Sequence, residues 1–267
     1  MKTVVITGSA RGFGYAMLEL FYQNNFNVVL CDVNEEELKN AKEKLKNINS
    51  KGNILTIKVD ITNESDITNL INKTLNEFKT IDIWINNAGV NQPNAPIYEV
   101  DTKVIDRLID IDLKGTIICS KLIFKVMKEQ GFGAIYNVEG HGSNNATITG
   151  LSIYGTAKRA VTYFTETLAH ESSDLKTNIL VGKITPGIMI TNFIHTSLGD
   201  GEKIELDDKT KKIYNILGDY PETIANFMVN KIINNKKNNV KFVWLSSFRA
   251  FTKFLTYPFK KTNYFKD

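Results

Sequence analysis

Tyr154 and Lys158 stand four residues apart, in Ile153-Tyr154-Gly155-Thr156-Ala157-Lys158. On a helix that spacing puts a phenol and an ammonium on one face. A free phenol ionises near pH 10 and is a poor base at neutrality; an adjacent cation favours the phenolate. Bringing the phenol to neutrality takes about 4 kcal/mol of differential stabilisation. Taken alone, the pair is most often a solvated helix-surface pair. Far upstream lies a glycine turn, Thr7-Gly8-Ser9-Ala10-Arg11-Gly12-Phe13-Gly14. It follows an apolar run and opens a helical one, the arrangement in which a helix N-terminus receives a pyrophosphate. Gly8 allows the tight turn, Gly12 lets backbone approach phosphate, and Gly14 lets the helix pack on the sheet. Asp32 closes the next apolar run, 18 residues after Gly14. A carboxylate there accepts hydrogen bonds from ribose hydroxyls and repels a 2′-phosphate, which favours NAD(H) over NADP(H). Arg11 argues the other way, since it can reach a 2′-phosphate, but direct repulsion by Asp32 is given more weight. Together the motifs point to hydride transfer between a nicotinamide and a carbonyl or alcohol.

The elements that must position these groups alternate short β-rich runs with longer helical ones. The apolar runs are Val4–Thr7, Val28–Cys31, Ile54–Val59, Ile81–Asn86, Ala134–Val138, Ile179–Ile184 and Val240–Leu245. They suit strands buried on both faces of a parallel sheet. Between them lie the helical stretches Gly14–Gln23, Glu35–Asn47, Ser65–Phe78, Thr102–Gln130, Tyr154–Asp174 and Pro221–Asn234. The expected fold is a doubly wound α/β domain of about seven strands with helices on both faces, spanning residues 1–267 as one unit. Two segments break the rhythm. Residues 191–220 have little periodicity and are expected to be a substrate lid. The tail, residues 248–267, carries Phe248, Phe251, Phe254 and Leu255 at helical spacing beside lysines. Packing on the domain or on a partner subunit is favoured for it over rest on a membrane.

Five motifs in order resemble the short-chain dehydrogenase/reductase family, from Lys2 to about Ile233. The glycine turn, with Arg11 and Phe13 inside it, is similar to the family's Thr-Gly-x-x-x-Gly-x-Gly. The resemblance implies that Asp60, followed by Ile61, contacts the adenine ring. It implies that Asn87, Ala88 and Gly89, in Asn86-Asn87-Ala88-Gly89, line the cofactor cleft. It makes Tyr154 and Lys158 the catalytic pair, with Lys158 also holding the nicotinamide ribose. Pro186, Gly187 and Thr191 form the loop whose threonine holds the carboxamide. Two positions depart from the family. Asp112 stands where an asparagine is usual; its main-chain carbonyl is expected to hold a water leading to the lysine. Gly140 stands at the usual serine, in Glu139-Gly140-His141-Gly142-Ser143, a form similar to the chlorophyll(ide) b reductase branch. Ser143 is the nearest hydroxyl and is expected to curl back as the second oxygen donor. His141 is the less favoured alternative.

The implied activity is an alcohol dehydrogenase or carbonyl reductase. Met189, Phe193, Ile194 and Leu198 suggest an apolar, sterol-like or cyclic-lipid substrate. The rival reading is a cofactor-sensing binding protein with the same fold and little turnover, motivated by the displaced serine. No metal site is expected, because His170 and His195 lack ligand spacing. The net charge of +4 is read as spread along the chain, with no nucleic-acid-reading motif. Cys31 and Cys119 both lie in apolar runs and fit a reducing compartment. Met1-Lys2 leads straight into the first strand, so a cytoplasmic location is expected. The helices Lys114–Gln130 and Tyr154–Asp174 carry more apolar positions than one sheet face needs; family members pair them across a two-fold axis, so a homodimer or homotetramer is expected.

Overall fold

The computed structural model describes residues 1–191, 206–260 and 262–265. The apolar runs become β1 (Thr3–Thr7), β2 (Asn27–Asp32), β3 (Ile54–Lys58), β4 (Ile83–Asn86), β5 (Gly133–Val138), β6 (Ile179–Thr185) and β7 (Val240–Val243). They form one seven-stranded sheet in the order β3-β2-β1-β4-β5-β6-β7. Every pairing within it is parallel. Alternation along a strand sends neighbours to opposite faces, and β1 shows it: Val4 and Ile6 join one apolar cluster, Val5 the other. The first cluster is closed by α1 (Gly12–Gln23), α2 (Glu35–Lys46) and α8 (Pro221–Ile233). The second is closed by α3 (Glu64–Phe78), α5 (Thr116–Gln130) and α6 (Ser152–Asp174). The architecture is therefore the expected α/β sandwich of three layers. Strand order reverses between β1 and β4, the place where ligands bind beyond the carboxyl ends of such a sheet.

One long helix expected at Thr102–Gln130 is interrupted. α4 (Thr102–Leu108) passes into a π-helical segment, Ile109–Gly115, before α5 begins. At its end Gly115 packs on Ile61; a Cβ there would stand 2.9 Å from the Ile61 Cδ1 atom. Such wide turns shift the helix register and recur at functional sites. Part of the expected lid is ordered: α7 (Asp208–Leu217) is N-capped by Asp207, whose side chain accepts from the Thr210 N–H at 2.8 Å. Phe193, Ile194, His195 and Leu198 lie outside the described residues. The tail forms α9 (Ser247–Lys260).

A buried polar network fixes the helices of the second layer against the strands. Asn86 donates to the Ser120 hydroxyl on α5 at 2.9 Å and to the Asn137 amide oxygen on β5 at 2.7 Å. Asn137 in turn donates to Thr165 on α6 at 2.8 Å, and Trp84 donates to Asn86 at 2.7 Å. Each member is satisfied by another, so deleting one strands its partners without water. Asn137→Ala is expected to lower unfolding free energy by about 2 kcal/mol, read as a drop in the urea midpoint at unchanged m-value.

Candidate active site

A cavity of about 840 Å³ opens at the β1/β4 reversal. Its wall includes Gly8, Arg11, Gly12, Phe13, Gly14, Asp32, Asp60, Ile61, Asn87, Ala88, Gly89, Tyr154, Lys158 and Thr191, all singled out from the sequence. Four expected residues do not line it: Asp112, Ser143, Pro186 and Gly187.

The glycine turn is built for close approach. Gly8 and Gly12 have φ of +64° and +57°, where a side chain is strained. A Cβ on Gly14 would stand 2.4 Å from the Gly8 carbonyl oxygen, so only glycine lets α1 start there. The Asn87 amide donates to the carbonyls of Thr7 and Gly8, both at 3.0 Å, and ties the turn to the end of β4. The Thr7 hydroxyl accepts from the N–H groups of Asn87 and Ala88 at 3.0 Å each. At the rim, Asp32 accepts from the Ala10 N–H at 3.4 Å and the Asn34 N–H at 3.2 Å, which aims its carboxylate. Arg11 faces Glu37 at 4.0 Å. This cradle, the open turn and the fixed carboxylate fit a dinucleotide. Pro186 and Gly187 act from behind: Gly187, at φ +76°, turns the chain beside Leu245 so that Met189, Ile190 and Thr191 reach the wall.

The Tyr154–Lys158 pair differs from expectation in its electrostatics. Lys158 is 7% exposed, and its Nζ stands 2.9 Å from Asp112 Oδ2. Asp112 Oδ1 accepts from the Val90 N–H at 2.8 Å. The Asp112 main-chain carbonyl, expected to hold a water, accepts the Thr116 hydroxyl at 3.0 Å. The Asp112 carboxylate meets the lysine directly. Burial opposes charging of Lys158, yet Asp112, Tyr154 and Glu139 outweigh it and hold the ammonium above its ordinary range. Tyr154, expected to be lowered by Lys158 together with a positive nicotinamide, is raised by the protein's own groups. Burial raises its pKa, Lys158 pulls it down, and Asp112 and Tyr214 push it up again. Lys158 draws the phenol down, but burial, Asp112 and Tyr214 together outweigh it.

Ser143 is the second correction. Its hydroxyl is buried, donates to the Lys158 carbonyl at 3.2 Å and accepts from the Gly140 N–H at 3.3 Å. It closes the turn after β5 and braces α6 rather than facing the cavity. His141 does not line the cavity either; its Nε2 is enclosed without a hydrogen-bond partner, and burial lowers its pKa. Gly140 is occupied differently from a serine: a Cβ there would stand 2.3 Å from the Tyr154 hydroxyl and 3.0 Å from Lys158 Cγ. The phenol itself fills the space where a side chain would project.

Two supporting residues escaped the sequence reading. Gln92 accepts from the Tyr154 N–H at 2.7 Å and donates to the Gly150 carbonyl at 2.7 Å, capping the first turn of α6 from a distant loop. Glu139 is 2% exposed on the cavity wall. It accepts the hydroxyls of Thr162 at 2.8 Å and Thr185 at 2.6 Å, and meets Lys241 at 2.9 Å. It thus joins α6, β6 and β7 beneath Gly140. An acid ending an apolar strand was the available signal for Glu139; Gln92 had none.

The chain belongs to the short chain dehydrogenase family, whose profile matches residues 2–200. It is 28% identical to a probable chlorophyll(ide) b reductase of Arabidopsis thaliana, over 100% of this chain and 55% of that protein. The chain thus spans only about half the length of that relative. It is 31% identical to a 3α-hydroxysteroid dehydrogenase of Mediterraneibacter gnavus, over 72% of this chain and 76% of that one. A solved short chain dehydrogenase from Bacillus anthracis superposes with a TM-score of 0.78 at 28% identity, covering 91% of this chain and 94% of that one.

The geometry separates two neighbouring positions. Ser143→Ala is expected to change turnover by less than about threefold while costing about 1 kcal/mol of stability, one lost neutral hydrogen bond. Gly140→Ala forces the Tyr154 hydroxyl away and is expected to lower turnover about 100-fold, the scale of an ångström of misplacement. Steady-state rates with thermal melts of both variants check this.

Proposed function

We propose that the protein is an NAD(H)-preferring carbonyl reductase and alcohol dehydrogenase that works best as a reductase near neutral pH, on an apolar, cyclic-lipid-like substrate. The observation that carries the reading is the Tyr154–Lys158 pair on the wall of a cavity that also holds the glycine cradle, with buried Asp112 meeting Lys158 from behind. A bound nicotinamide supplies or accepts the hydride there. Gly8, Gly12 and Gly14 would hold its pyrophosphate, Asp32 and Asp60 its adenosine end, and Lys158 and Thr191 its nicotinamide end.

The chain's own part is a proton at the Tyr154 hydroxyl. In reduction the neutral phenol gives that proton to the carbonyl oxygen, and its raised pKa keeps it protonated through neutrality. In oxidation the phenol must first ionise, so the rate rises with pH. Asp32 and the carboxylates of Glu35, Glu36 and Glu37 that follow it make the ribose end acidic, which supports NAD(H). Ile111, Val138, Met189 and Ile190 give the wall an apolar stretch, which supports an apolar substrate. The names of the steroid and chlorophyll(ide) relatives agree with such a substrate class. The partly buried apolar residues Ile118, Leu122, Phe124 and Val126 on α5 support a homodimer or homotetramer. The second reading, a cofactor-sensing protein with little turnover, is favoured by the lack of a side-chain donor at Gly140.

Tyr154→Phe tests the assignment: turnover of NADH with a ketone panel should fall about 100- to 10,000-fold, with NADH affinity from fluorescence titration unchanged. A wild type that binds NADH but turns over nothing in the panel selects the second reading. The pH profile provides an independent check. Since Asp112 helps to raise the phenol pKa, Asp112→Asn should move the acid limb of alcohol oxidation to lower pH while the reduction rate near neutrality changes less. An unmoved limb would show that the carboxylate does not govern the phenol.

A further inference from the structure

Helix α9 is turned inside out. An amphipathic helix on a globular domain normally buries its apolar stripe and shows its charges to water. Here Phe248, Phe251, Phe254, Leu255 and Phe259 are 77, 61, 51, 57 and 89% exposed. The face turned to the domain is the polar one. Arg249 donates to the Trp244 carbonyl at 2.7 Å and lies 3.6 Å above the Trp244 ring centroid. Lys253 meets Asp219 at 2.8 Å and donates to the Gly218 carbonyl at 2.9 Å. These contacts fix the helix on the domain, so its aromatic side is held outward.

The chain segment that carries α9 is one-sided in charge. Between Thr223 and Lys266 the sequence holds nine lysines and arginines and no aspartate or glutamate. The positive charge is therefore gathered at this end rather than spread along the chain. Only Lys241 and Lys253 of these nine are paired with carboxylates among the described residues. Lys231 and Arg249 both sit over the Phe227 ring, at 5.6 and 5.5 Å, next to the start of α9, and Lys260 is exposed at its other end. No helix among the described residues is long and apolar enough to cross a membrane.

We propose that α9 lies in the interface of an anionic lipid surface, with its exposed phenylalanines and Leu255 entering the headgroup boundary and the acid-free cations around it meeting the lipid charge. Aromatic side chains favour that depth, and a cationic surround adds attraction that salt weakens. A second copy of the chain is the poorer occupant, because pairing two α9 faces would bring two acid-free cationic segments together. The test uses the full chain and sedimentation with vesicles of phosphatidylcholine and phosphatidylglycerol at about 3:1, against phosphatidylcholine alone. Wild type should pellet with the anionic vesicles and be released by salt. Phe251→Asp/Phe259→Asp should lose at least about tenfold in partition, with an unchanged melt and unchanged NADH affinity. Phe259→Ser alone, at the most exposed position, should show a partial loss. The proposal is overturned if wild type stays in solution with anionic vesicles, or if both variants bind like wild type. It is equally overturned if the double variant converts a dimer to a monomer by light scattering, which would give the face to a second copy.

Discussion

The ion pair between Lys158 and Asp112, closed off from water at 2.9 Å, is the contact on which the rest of the site hangs. Removing one member of such a pair leaves a bare charge in a poor solvent for it, at about 3–5 kcal/mol. The surroundings are therefore arranged to keep both. Gly89 leaves room, since a Cβ there would press within 3.1 Å of Asp112 Oδ2. Val90 offers its N–H to the other oxygen. The π-helical turn carries Asp112 to where α6 passes. One pair thus pins three separate stretches of chain: the end of β4, the widened helix and α6.

The pair also sets the chemistry. A lone ammonium beside a buried phenol would draw out its proton. An ammonium already matched by a carboxylate does so weakly, and burial decides the phenol's state. Asn→Asp at this place is a small change of shape and a large change of field. The neighbouring Gly140 follows the same logic of space, with the phenol packed directly against backbone that elsewhere in the family bears a hydroxyl.

The strands were legible because each is an apolar run buried on both faces, and the glycine turn because its spacing answers a steric demand that only glycine meets. Most boundaries fall within a residue or two of expectation. Other features were hidden for definite reasons. Thr102–Gln130 reads as one helix because a π turn leaves the apolar spacing almost intact. The count of residues from Ser143 to Tyr154 gives reach but not direction; Gly142, at φ +97°, turns the hydroxyl under α6. Lys158's partner is 46 residues away, and local spacing cannot announce it. Gln92 reaches Tyr154 across 62 residues for the same reason. For α9, periodicity shows that a stripe exists but not which side of the helix the domain takes.

Asp219 has a consequence of a mechanical kind. Its carboxylate takes both Lys253 of α9 and the Trp244 indole, the latter at 2.7 Å. Its backbone is bridged to Met189, through the Ile190 N–H at 3.0 Å and the Ile188 carbonyl at 3.2 Å. Met189 and Ile190 belong to the cavity wall. The outer helix and the inner wall are therefore tied to each other at one residue, Asp219. A force on the protein's exterior at α9 is delivered to the chamber through two backbone hydrogen bonds, and local opening that frees one end frees the other with it.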